Sequence, residues 1–372
     1  MERKYFYFGL TTTIFALGIN LISIFGVVSL YVFYGGRIEL AVLPFIIIHL
    51  LYAFTLPLTA KFTGKLGTRT SMIIGSLLFI MSYFALMFLY EFDFWPVALW
   101  IVFNAAAHNF FFLSMHYFFT AYTSAKHRGA QISSFRVTFL FAMVLLPLLG
   151  GFVSEHLGIA GLTIIGNMFI FLSFIPLLKT DNFKYLYSGG ITRFIKIRDV
   201  LLELKLLVLT QLSSNFELLW LVYVFLIAGS SFIGFGEILT VIAVVNLVVT
   251  LILGKYLDGH NRKKFLKFDS IVLSISWLLR SAASNVAGVI LADSIYKVNE
   301  NIKDNAVSVF EYDLFSQKGH IEEIDERIII REIGINLIAS ASLALGLLII
   351  AHAGFQAAFI AAALLAITLI LL

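Results

Sequence analysis

The chain has 372 residues, of which 60% are hydrophobic and 13% charged, against roughly 25% charged residues in a soluble globular domain. That balance excludes water as the main solvent, and the formal charge of +4 is no argument for nucleic acid because the basic residues are confined to alternate loops. Cysteine is absent, which excludes structural disulfides and thiolate metal sites.

Apolar runs of about 20 residues, the length that crosses a hydrocarbon core of about 30 Å, recur from Phe6 to Leu372 and leave no soluble domain of ordinary size. Hydropathy places twelve spans near residues 8–33, 40–60, 70–90, 95–121, 133–154, 158–178, 204–228, 232–256, 265–282, 286–310, 328–351 and 354–372. The first is too long for the h-region of a signal peptide and has no small-residue cleavage site before Gly35, so it reads as a retained span. Backbone polar groups in lipid must be satisfied within the protein, and runs this long are helices and not the ~10-residue alternating strands of a barrel. The expected fold is all-α, a polytopic membrane protein.

The loops carry the orientation. One set of ends holds Arg3, Lys4, Lys61, Lys65, Arg69, Lys126, Arg128, Lys179, Lys184, Arg193, Lys196, Arg198, Lys255, Arg262, Lys263, Lys264, Lys318 and Arg327, whereas the opposite loops hold only Arg37. By the positive-inside rule that set, and with it both termini, is cytoplasmic, which suits the cytoplasmic (plasma) membrane. The longest weakly hydrophobic connector follows span six. It divides the chain into a six-helix bundle at 1–178, a cytoplasmic linker at 179–203 and a second bundle at 204–372. A further polar stretch, Glu311–Arg327, is expected to form a short surface helix between spans ten and eleven, with the acidic run Glu322, Glu323, Asp325 and Glu326 on a solvated face.

Charged residues inside spans cost about 2.5–3.5 kcal/mol on insertion scales, so they normally face a bundle interior or water. Span one contributes Asn20. Span four carries Asn104 and His108, four residues apart, and span seven carries Gln211, Asn215 and Glu217. Span ten has Asp293, Lys297, Glu300 and Asp304 at steps of four, three and four, which places them on one helical face. At about 1.5 Å per residue, Glu217, His108 and Lys297 lie about 16–18 Å into their spans, near the midplane. Glu217 has no cation within four residues of its own span and is the first choice for a protonation site. Asp293 and Glu300 flank Lys297, either neutralising it in a structural ladder or coupling to substrate or ions. His108, with an unperturbed pKa of about 6.5, is a proton relay, a substrate donor or a hydrogen-bonded interhelical histidine. Arg280, near the outer end of span nine, reads as a snorkelling residue. His49 and Glu237 are further ionisable residues within spans.

The two halves repeat. AKFTGKLGTRT (Ala60–Thr70) stands between spans two and three, and GKYLDGHNRKK (Gly254–Lys264) stands between spans eight and nine. An offset of 194 residues aligns Lys61 with Lys255, Phe62 with Tyr256 and Arg69 with Lys263. Two copies in the same orientation mean two parallel halves related by an axis along the membrane normal. This pattern resembles the major facilitator superfamily, whose loop signature runs G-x-x-x-D-[RK]-x-G-x-[RK]-[RK]. The second copy keeps Gly254, Asp258, Lys263 and Lys264, and the first keeps Lys65, Gly67 and Arg69. SAKHRGAQIS (Ser124–Ser133), with Arg128, is similar to the Arg-Gly loop that opens the fifth helix in this superfamily, and PLLGGFVSEHLG (Pro147–Gly158) to its Gly-Pro-x-x-Gly-Gly ending.

The resemblance implies two pseudo-symmetric six-helix bundles, with spans one, four, seven and ten lining a central cavity. The implied function is a secondary transporter that moves a small organic solute by alternating access, with protons as the coupling ion. The alternatives are a flippase for a lipid or lipid precursor, or a non-transporting receptor or assembly protein. No phosphate-cradling G-x-x-x-x-G-K-[ST], no H-E-x-x-H pair and no nucleophile motif occurs in the sequence. An enzyme, a cofactor or a metal is therefore not expected. The expected partners are a small-molecule substrate, protons and membrane lipids, and the chain is expected to be a monomer.

Overall fold

The computed structural model describes residues 2–92, 94–122, 128–184, 204–205, 207–208, 211–253, 262–300 and 321–368. Among them there are helices and turns and no strand. Spans one to four are Glu2–Phe33, Ile38–Leu66, Thr68–Leu86 and Trp95–Tyr122. Spans five and six run through Arg128–Leu172, broken at Gly158, and end in a short helix at Phe174–Leu177. Span seven is Glu217–Ile227, entered through a 3-10 turn at Ser214–Phe216. Spans eight and nine are Phe232–Leu253 and Arg262–Ala282, and span ten is helical over 286–300. Spans eleven and twelve run through Ile321–Ile367, broken at Gly354.

Among the described residues seven helices are long and apolar enough to cross a membrane. Two of these are each divided by a glycine, and the helices of spans seven, nine and ten complete a set consistent with twelve spans. One expectation is corrected at the start of span eleven. Residues 321–327 continue directly into that span and do not form a separate surface helix, while the rest of the polar stretch lies outside the described residues. Glu326, expected on a solvated face, is buried at 1% exposure because it enters the bundle on this helical extension.

The turns repeat as the loops do. Span one closes with Tyr34 N–H donating to Leu30 O, Gly35 to Val32 O and Gly36 to Tyr31 O. Span seven closes with Ala228 donating to Val224 O, Gly229 to Leu226 O and Ser230 to Phe225 O, the same three bonds at an offset of 194 residues. Gly158 and Gly354, 196 residues apart, turn spans five and eleven back on themselves with φ of 60° and 82°. Side chains with a Cβ pay roughly 1–2 kcal/mol in that left-handed region, which is why a glycine stands at both breaks. Two residues before each glycine a histidine, His156 or His352, bonds the carbonyl four residues back, Phe152 O or Leu348 O.

One core lies within the first half, and a second joins the helices of the second half to spans one, two and five of the first. In the first, Phe15 stacks on Phe111 with ring centroids 3.6 Å apart, and Phe8 stacks on Phe118. In the second, Trp220 and Trp277 pack on Phe359. Large apolar side chains such as Phe54 (74%) and Leu145 (69%) face outward, where acyl chains are their solvent. Since lipid is as apolar as leucine, helices in a bilayer associate through close packing and hydrogen bonds. Spans five and eight meet this way, at glycines: a Cβ on Gly151 falls 2.5 Å from Phe232 O, and one on Gly236 falls 2.4 Å from Pro147 O.

Candidate functional site

A cavity of about 490 Å³ lies between the halves. Spans one, two and five contribute Asn20, Ser23, Ile24, Phe45, His49, Met143 and Pro147, and spans seven, eight, ten and eleven contribute Ser214, Asn215, Glu217, Leu239, Ile242, Asn246, Asp293, Lys297, Glu300 and Leu343. Span seven is irregular where it reaches this space, with a turn at 212–213 and the 3-10 turn Ser214–Phe216. Non-helical backbone at membrane depth is tolerated only where protein buries it or where it lines a water-filled cavity. Ser214 and Asn215 line this one.

The charged wall is a ladder across three spans. The Arg280 guanidinium, fully buried, donates from Nη1 to Glu217 Oε2 at 2.7 Å and from Nη2 to Asp293 Oδ1. It lies 3.5 Å from the ring centre of Tyr296 and under 5 Å from those of Trp277 and Trp220. Cation–π contact of this kind is worth about 2 kcal/mol when desolvated. Lys297 Nζ pairs with Glu217 Oε1 at 2.7 Å and donates to Glu300 Oε2 at 3.1 Å. The Tyr296 hydroxyl donates to Glu300 Oε1. Both oxygens of Glu217 are thus engaged, one by each cation. The Lys297 side chain retains 30% exposure towards the cavity, against 19% for Glu217 and 20% for Glu300.

Two expectations are corrected by these contacts. Arg280 does not snorkel to the surface; it is held inside by two carboxylates and three rings. Glu217, with no cation in its own span, meets two that arrive from spans nine and ten. Asp293 pairs with Arg280, not with Lys297. Of the remaining expected residues, Asn20, Asn215, Lys297 and Glu300 line the cavity. Asn104, His108 and Gln211 do not. Asn104 is buried beside Tyr83. The His108 ring stacks on Phe112 and meets Phe79 and Tyr52 edgewise, inside the first bundle. Gln211 presents its backbone carbonyl to Asn215 Nδ2.

The loop residues separate as well. Gly67, at φ 89°, joins spans two and three, and Arg69 Nη1 donates to Thr180 O at 3.0 Å and Leu178 O at 3.4 Å. Asn182 Nδ2 donates to Leu66 O and Thr70 Oγ1, so the loop is braced against the end of span six. Lys65 is exposed in the last turn of span two. Gly254 and Asp258 lie outside the described residues, as does Asp304 of span ten, and only the helical backbone is described for Arg128, Lys263 and Lys264.

Two sets of contacts join the halves, one towards each end of the spans. Towards the end that carries the N-terminus, Glu332 of span eleven accepts from the Tyr52 hydroxyl at 2.7 Å and from Arg331 Nη1 at 2.5 Å, and its Oε1 lies 3.1 Å from His116 Nε2. Beside it His49 Nδ1 meets Asn336 Oδ1 at 2.7 Å. Towards the opposite end, Glu155 Oε2 accepts from the backbone N–H groups of Phe232 and Ile233, joining span five to the start of span eight. Sequence reasoning passed over the Glu332 network; its signal was two adjacent charges, Arg331 and Glu332, inside an apolar run.

Residues 5–296 match the sequence profile of the Major Facilitator Superfamily. A comparison with curated protein sequences finds no match. Among solved structures the chain is similar to the human organic anion transporter MFSD10 (TETRAN), at 15% identity and a TM-score of 0.71 over 100% of this chain and 98% of that one. It is similar to the xylose transporter XylE from E. coli, in a partially occluded inward open conformation, at 14% identity and 0.72 over 99% and 96%. A D-xylose-proton symporter aligns at 14% identity and 0.73 over 99% and 96%. At such identities the likeness carries the fold, and the profile match carries the family. The chain is an integral membrane protein that belongs to the major facilitator superfamily.

Proposed function

We propose that this protein is a secondary transporter that carries a small organic solute across the membrane by alternating access, driven by protons. The observation that supports it best is the cavity lined by both halves, which meet at Glu332 towards one end and at Glu155, Gly151 and Gly236 towards the other. Breaking one contact while the other holds opens the cavity to one side only. The bodies that move are residues 1–178 and 204–372, joined by 179–203, and the distribution of Lys and Arg supports cytoplasmic termini.

Proton coupling is assigned to the cavity carboxylates. Lys297 lies between Glu217 and Glu300 and can satisfy either, so a proton taken by one leaves the lysine paired with the other. Reconstituted into liposomes, the protein is expected to accumulate a solute from a mixed metabolite library when a pH gradient is imposed, and a protonophore is expected to abolish that accumulation. Lipid scrambling without solute uptake would instead identify a flippase. Glu217→Gln is expected to lower gradient-driven accumulation at least tenfold while leaving solute exchange intact. Unimpaired accumulation in that variant removes Glu217 from the proton path.

A further inference from the structure

We infer that the solute held in this cavity is a small amphipathic amine, an N–H-bearing ammonium group on an apolar body. The inference deepens the transporter reading and rests on it for the solute being carried.

Asn20 Nδ2 donates to Ala16 O at 2.8 Å, and Asn215 Nδ2 donates to Gln211 O at 2.9 Å. A backbone carbonyl only accepts, so in both residues the NH₂ group must face the helix and Oδ1 must face away from it. The two asparagines sit 195 residues apart in the chain, on spans one and seven, and both line the cavity. They therefore present carbonyl oxygens from opposite halves. His49 adds a third acceptor by the same logic. Asn336 Nδ2 donates to Glu332 O, which leaves Asn336 Oδ1 as the acceptor and makes His49 Nδ1 the donor in their contact. The other ring nitrogen, Nε2, is then an acceptor in the neutral imidazole, on a residue that also lines the cavity.

Three acceptors fixed by their own hydrogen bonds, beside the carboxylates of Glu217 and Glu300, call for a ligand rich in donors. An ammonium group supplies three. The wall already shows what such a group does there, because the Lys297 ammonium bridges Glu217 and Glu300. An incoming ammonium has the same chemistry and can take over one of those carboxylates while Lys297 keeps the other. A carboxylate ligand would meet three atoms that cannot donate to it, and would add a like charge beside two carboxylates at low dielectric. Apart from the charged ladder and the polar Ser23, Ser214 and Asn246, the lining is apolar, with Ile24, Phe45, Met143, Leu239, Ile242 and Leu343. The volume of about 490 Å³ falls within the roughly 300–1,000 Å³ usual for small-molecule sites.

The test is equilibrium binding to the purified full-length protein in detergent, using four probes on one phenyl-alkyl frame. These are phenethylamine, phenethyl alcohol, 3-phenylpropionate and phenethyltrimethylammonium. Phenethylamine is expected to bind at least tenfold more tightly than each of the others, the quaternary ion failing because it has charge and no N–H. Asn20→Leu and Asn215→Leu are each expected to reduce the advantage of the primary amine over the quaternary ion to under threefold. Equal or tighter binding of the alcohol, the carboxylate or the quaternary ion overturns the inference, as does the absence of binding by all four, and these comparisons need no variant to fold. In proteoliposomes, phenethylamine that is bound but not carried sustains the ligand class and defeats the transporter reading. Carriage of 3-phenylpropionate in preference to the amine does the reverse.

Discussion

Replacing Arg280 by methionine shows how far the cavity wall depends on one cation. The guanidinium is fully buried and holds Glu217 and Asp293 together. Removing one partner from a buried ionic pair costs about 3–5 kcal/mol, most of it the charge left behind. Arg280→Met is expected to destabilise the protein by about that much in SDS-titrated unfolding, and adding Asp293→Asn is expected to recover at least a third of the loss. A single-variant loss below about 1 kcal/mol would mean that water or another cation reaches Asp293. The same residue marks what sequence reading can and cannot reach. Hydropathy and residue counting place Arg280, His108 and Asn104 along their spans, but they do not say which way each side chain points. Lys297, Glu300 and Asp293 were legible as one group because their spacing puts them on one face of one helix. The pairing of Glu217 was not, since both of its cations come from other spans.

Among the elements, the repeat was the most readable feature, because the loops after spans two and eight share residues at a fixed offset and lipid enforces span lengths. Where a span begins inside the protein was less so. Span eleven already includes residues 321–327, because charged residues such as Glu326 and Arg327 find burial in the bundle, and hydropathy counts them as loop. The crossing of spans five and eight is set by Gly151 and Gly236, where backbones touch. Gly236→Val puts a Cβ 2.4 Å from Pro147 O, so the two helices must separate on that side. The expected outcome is a shift towards the state open at that end, read as at least threefold faster alkylation of a cysteine introduced at Met143, in a protein with no cysteine of its own. Unchanged alkylation would show that the crossing yields elsewhere and does not seal the cavity.

For the whole molecule the question is whether the halves part at the Glu332 side during each cycle. Around that network, Leu56 and Ala60 of span two and Leu113 and Tyr117 of span four form one buried cluster with Ile328 and Ile329 of span eleven. Such a patch is bistable rather than gradually deformable: packed side chains either interdigitate or separate. Tying it shut by the double substitution Ala60→Cys and Ile328→Cys, followed by oxidation, holds the two halves together at this end alone. If both sides must open in turn, the oxidised protein should lose at least nine-tenths of its solute flux in proteoliposomes and regain it on reduction. It should still bind a ligand that enters from the opposite side. Full flux with the crosslink formed would show that this contact stays closed throughout, and the path of the solute would then have to run through the gap between spans elsewhere.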